Sequence, residues 1–133
     1  MTTQNAQFQG QNIPTHINML FIHRLTGSVT FLNTGTAEWE NIANNPTNPY
    51  RLGSQNPQDN TTWGLNRVEL NVPVSGGDPH TFYFDIDLDN DLTPPATPTP
   101  RVYNFQWRML QEGVAWFGQS TTNVAITIVD PNV

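Results

Sequence analysis

The sequence predicts an all-β chain folded as an antiparallel sandwich or barrel of about seven to eight short strands. Three observations predict it. Short segments alternate apolar and polar residues, turn signals rich in Asn, Gly and Pro recur at intervals of about 8–12 residues, and no segment carries the apolar period of a long amphipathic helix.

Residues 1–15 are polar, Gln-rich and without periodicity, which reads as an N-terminal arm lying outside a domain that spans 16–133. A polar terminus orders only when a neighbouring subunit or a sheet edge of its own domain holds it. The first clear strand has Leu25, Gly27, Val29 and Phe31 on one face and Thr26, Ser28 and Thr30 on the other, and it ends at the Asn33-Thr34-Gly35 turn. After an Asn- and Pro-crowded loop, Tyr50 to Gly53 forms a short strand, and Arg67 to Val72 alternates again. Ser75 to Pro79 supplies a turn into His80–Leu88, in which Phe82, Phe84, Ile86 and Leu88 share a face. Pro94, Pro95, Pro98 and Pro100 make the next segment a loop or an edge crossing. Val102–Leu110 is the strongest strand, Gln111-Glu112-Gly113 turns it into a hairpin with Val114–Phe117, and Asn123–Val129 closes the chain.

The composition narrows the function. The chain has 133 residues, enough for one core, and a formal charge of −6 with only five basic residues, all arginine. A nucleic-acid partner is excluded, because phosphate binding needs clustered positive charge. With no cysteine there is no disulfide, thiolate metal site or Cys nucleophile. The first residues lack the basic and apolar regions of a secretory signal, and no apolar run, Met19-Leu20-Phe21-Ile22 included, exceeds four residues, far too short to cross a bilayer.

The four tryptophans are the most informative residues. Each can bury about 200 Å² and tie a loop to a sheet through its indole N–H. Trp39 and Trp107, with Val29, Phe31 and Phe105, are expected in the core, whereas Trp63 and Trp116 are expected at the surface.

Three blocks resemble a known family. Ser28-Val29-Thr30-Phe31-Leu32-Asn33-Thr34-Gly35 leads to Trp39. Tyr50-Arg51-Leu52-Gly53-Ser54-Gln55-Asn56-Pro57 runs through Trp63-Gly64 to Arg67-Val68-Glu69-Leu70, and Tyr103-Asn104-Phe105-Gln106-Trp107-Arg108-Met109 precedes Gly113-Val114-Ala115-Trp116-Phe117-Gly118. The pattern is similar to the four-tryptophan (FW) domain, the central domain of certain autophagy cargo receptors that also occurs in bacterial multidomain proteins. The resemblance covers most of residues 28–129 and implies an immunoglobulin-like antiparallel β-sandwich and a peptide- or carbohydrate-associated binding role. Two departures stand out: the apolar run within His16–Arg24 and Leu32 at an outward position, and the long Asp- and Pro-rich stretch at 85–100.

Catalytic and metal motifs are weak. Asp85, Asp87 and Asp89 begin like a calcium loop, but Asn90 stands where the turn glycine belongs and Ala96 where the bidentate Glu belongs. His16, His23 and His80 are scattered without metal-ligand spacing. There is no nucleophile elbow, phosphate loop or zinc-protease motif, so no enzyme activity, cofactor or metal is expected.

The expectation is therefore a non-enzymatic structural or interaction protein, a subunit or decoration component of a larger assembly such as a virion or a surface fibre. Its partner would be protein, either a second copy in a homo-oligomer or a neighbouring subunit, with no membrane insertion and a place on a virion or extracellular surface. The candidate contact residues are Phe8 and Ile13 in the arm, Met19, Leu20, Phe21, Ile22 and Leu32 on an apolar edge that reads equally as an extra strand buried against its own domain, and Trp63 and Trp116. The alternative is a peptide- or carbohydrate-associated binding module using the exposed aromatics.

Overall fold

The computed structural model describes residues 2–88 and 100–129. These contain ten β-strands and no α-helix: β1 (Gln7–Asn12), β2 (His16–Asn18), β3 (Arg24–Leu32), β4 (Tyr50–Ser54), β5 (Arg67–Glu69), β6 (Pro79–Asp87), β7 (Arg101–Phe105), β8 (Trp107–Gln111), β9 (Ala115–Ser120) and β10 (Val124–Val129). The molecule is a β-sandwich. One layer is β1-β3-β6, and the other is formed by β5-β4-β8-β9 and β2-β10-β7.

The second layer is built around one long hairpin, β7-β8 against β9-β10, broken in the middle. Strands β7 and β8 are separated by Gln106 alone, and β9 and β10 by residues 121–123. Buried Thr121 stitches the break: its Oγ1 accepts from Trp107 N–H at 2.9 Å, and its own N–H donates to the Trp107 carbonyl at 2.8 Å. That interruption, together with β1 and β2 near the N-terminus, raises the strand number above the seven or eight expected.

The alternation legible in β3 and β6 places Val29 and Phe31 against Phe82, Phe84 and Ile86 inside the sandwich. Phe84 stacks on Phe105 and meets Trp107 edge-on at 5.0 Å between centroids, joining the two layers. Trp39 is buried beside Phe117. Val29, Phe31, Trp39, Phe105 and Trp107 thus all lie in the core, as expected.

Residues 1–15 do not form an arm outside the domain. Strand β1 pairs antiparallel with β3, with Phe8 opposite Phe31 and a register shift between Phe8 and Gly10. The Thr3 carbonyl accepts from Thr36 and Ala37 N–H, and the Ala6 carbonyl from Gln119 N–H. Ala6 is buried so tightly on β9 that a Cβ at Gly118 would lie 2.6 Å from the Ala6 nitrogen. Backbone hydrogen bonds on both sides, which no side-chain pattern advertises, hold this segment down. Strand β2 then runs parallel to β10, so the N-terminal segment contributes to both layers.

Candidate functional site

At one end of the sandwich the chain leaves β2 in a tight turn. The Asn18 carbonyl accepts from the N–H groups of Phe21 and Ile22, both at 3.2 Å, and its Oδ1 accepts from Leu20 N–H at 2.9 Å. Met19 is only 1% exposed, and its N–H donates to the Val129 carbonyl at 2.8 Å. The next three side chains stand in water: Leu20 is 49% exposed, Phe21 77% and Ile22 39%. The turn divides the apolar run, so Met19 is an anchor in the core rather than a contact residue.

The other expected contact residues are dispersed. Phe8 is half-buried, edge-on to Phe31 at 5.9 Å, and Ile13 packs against the core beside Gly27. Leu32 is half-buried at the end of β3, between Gln7 and Pro79 on its two neighbours. These three belong to the sandwich itself.

Trp63 is not at the surface. It is 2% exposed, its indole N–H donates to the Asn104 carbonyl at 2.9 Å, and its ring lies edge-on to Tyr103 and Phe105. The preceding loop folds on itself: Ser54 Oγ donates to the Asn60 carbonyl, and Asn60 Nδ2 donates to the carbonyls of Gln55 and Pro57. That closure turns Trp63 inward. The indole N–H groups of Trp39 and Trp107 are buried without a partner among the described residues, so only Trp63 is seen to tie a loop to a sheet as expected of the tryptophans.

Trp116 is half-exposed on the outer face of the β5-β4-β8-β9 sheet. Its ring crosses Gly53, where any Cβ would overlap it, and the Arg67 guanidinium lies over it at 5.0 Å from the centroid. Leu110 is buried beside it, outside the main core. Around this patch Glu112 Oε2 accepts from Arg51 at 3.0 Å and Arg67 at 3.2 Å, Arg67 pairs with Asp59 at 2.6 Å, and Arg51 pairs with Glu69. Burial works against the Arg51 charge, but hydrogen bonds to Glu112 and Glu69 and the charges of both outweigh it and raise its pKa. Trp116 is a cover clamped over the sheet, not an open stacking platform.

The calcium-loop reading loses its loop. Asp85 and Asp87 stand on the extended strand β6, where Asp85 accepts from Thr26 Oγ1 at 2.8 Å and Asp87 faces Arg24 at 3.6 Å; Asp89 lies outside the described residues. No group of three or more His, Asp or Glu side chains among the described residues is placed to hold a metal ion. His16 and His23 are exposed, and His80 packs edge-on to Phe82 at 4.7 Å, where burial lowers its pKa. No described helix is long and apolar enough to cross a membrane.

One feature escaped the sequence reading. A cleft of about 150 Å³ separates the edges of β5 and β6, lined by Glu69, Asn71, His80, Thr81, Phe82 and Tyr83. Its only sequence signal is Tyr83, a large aromatic at an outward position of β6, 73% exposed. No protein-family model matches this chain, and no curated protein matches it.

Proposed function

We propose that this chain is a non-enzymatic structural and interaction protein, a subunit or decoration component of a larger assembly such as a virion or surface fibre, that docks through the apolar turn Leu20-Phe21-Ile22. The observation that carries this reading is the construction of that turn. Three consecutive large apolar side chains are held out in water by the Asn18 hydrogen bonds and by Met19, which is rooted in the core. Exposed apolar groups cost free energy unless a partner covers them, and a cluster on a fixed turn marks an interface. Because β1 is part of the sandwich, the N-terminal segment supports the fold and docking falls to the turn.

Membership of the four-tryptophan, immunoglobulin-like class belongs to the same proposal. It is supported by Trp39, Trp63 and Trp107 inside the sandwich with Trp116 clamped outside, and by an N-terminal segment that pairs antiparallel in one layer and parallel in the other.

Sedimentation velocity tests the docking turn. The wild-type chain is expected to self-associate between micromolar and millimolar concentration, and the Leu20→Ser/Phe21→Ser variant to remain monomeric with an unchanged melting temperature. A wild-type chain monomeric over that whole range, or a double variant that associates like the wild type, overturns the proposal.

A further inference from the structure

We infer that the outer edge of β6 is a strand-addition site for an extended basic peptide, which docks between β5 and β6 and places one Lys or Arg side chain in the cleft beside Glu69. The surface is separate from the Leu20-Phe21-Ile22 turn, and the inference does not depend on that turn's role.

The direction of the backbone groups carries the first step. Leu88 N–H donates to the His23 carbonyl at 2.9 Å, and the Asp78 carbonyl accepts from Asn33 N–H at 3.0 Å, so even-numbered residues of this segment point toward β3. Asp87 N–H donates to the Trp63 carbonyl at 3.1 Å, so odd-numbered residues point away from it. Thr81, Tyr83 and Asp85 therefore aim their N–H and C=O groups outward, and no described residue pairs with them there. The loop carrying Trp63 occupies this edge at Asp87, and Pro79, which has no N–H, ends it on the other side.

Between those limits the edge is regular. Its pairing with β3 runs from Asp87 to Pro79 without a bulge, and it carries no lysine, two of the devices by which exposed edges are commonly blunted. Backbone hydrogen bonding to such an edge gives affinity, and pockets for alternate side chains give selectivity. The cleft beside the edge is the pocket. His80, Thr81, Phe82 and Tyr83 line it on the β6 side, and on the β5 side the half-exposed Glu69 carboxylate, one oxygen of which pairs with Arg51, lies where the cationic head of a long side chain would follow.

Charge selects the occupant. Glu69 borders the cleft, Asp85 stands on the edge strand and Asp78 just before it, all on a chain of formal charge −6. An incoming strand with Lys or Arg is attracted. A second copy paired antiparallel about Tyr83 would bring two such chains together and set Asp85 against Thr81, with no cation to offset it.

The test uses the full chain and a fluorescein-labelled peptide alternating Val with Lys and Arg, read by fluorescence anisotropy and by amide exchange. The basic peptide is expected to bind and to slow exchange at Thr81, Tyr83 and Asp85. A peptide of equal charge with Pro at two alternate positions should bind at least about tenfold more weakly, because it cannot complete the ladder. Replacing its Lys and Arg by Glu should abolish binding. On the protein, Glu69→Gln should weaken binding several-fold and Asp85→Lys more strongly, with Phe21→Ser leaving it unchanged. Equal binding of the proline peptide, no binding at millimolar peptide, or a wild-type dimer dissociated by Asp85→Lys would each overturn the inference, the last by assigning the edge to a second copy.

Discussion

Residues 3–12 and residues 19–22 behave oppositely to their composition. The first segment is Gln-rich, yet it is held on both sides by backbone hydrogen bonds to β3, to the Thr36–Ala37 turn and to β9. The second is the most apolar run in the chain, yet three of its four side chains are exposed. The difference teaches that a strand needs backbone partners more than apolar side chains, and that a turn anchored at its first residue can hold the rest of an apolar run in water.

Removing residues 1–15 should be the most damaging change and the sharpest break of that contrast. It strips β1 from β3 and uncovers Phe31, so at about 1 kcal/mol net per lost hydrogen bond a loss of about 3 kcal/mol or more is expected in chemical denaturation. A truncated chain as stable as the full one would make the segment a mere appendage. Trp63→Ala should cost about 3–5 kcal/mol, as for other buried tryptophans, and a near-zero change would return Trp63 to the surface.

Gly53→Ala comes next. The new methyl meets the Trp116 ring, so about 1–3 kcal/mol is expected in the wild type and clearly less in a Trp116→Ala background; additive effects in the double-mutant cycle would refute the clamp. The smallest effect is at His80. Burial depresses its pKa, so the unfolded chain takes up a proton first, and this contribution to stability is lost as pH falls from the ordinary imidazole value through the lower folded one. A Tm profile with a drop in that window, flattened by His80→Asn, is expected.

Much of the sandwich was legible because β3 and β6 bury alternate residues and write that burial into a period of two. Strand β1 was not, since Gln7 and Gln9 are exposed, Gln11 is polar although half-buried, and the strand is held mainly through its backbone. Trp63 was misplaced because its burial depends on how residues 54–62 close over themselves through Asn60, which spacing does not reveal. Within the candidate site, Leu20, Phe21 and Ile22 were legible as an apolar patch, while Met19 was separated from them only by the turn at Asn18. The edge of β6 that no described strand pairs with was invisible for a different reason: whether a strand has a neighbour leaves no mark on its own residues.

Amide hydrogen exchange on the dilute, monomeric chain tests most directly whether the N-terminal segment is structure and not an assembly arm. Amides in Gln7–Asn12 that bond β3 should exchange slowly, alongside those of β3, while Phe21 and Ile22 exchange faster. Coil-like exchange throughout Gln7–Asn12 in the monomer, with protection gained only on association, would contradict it.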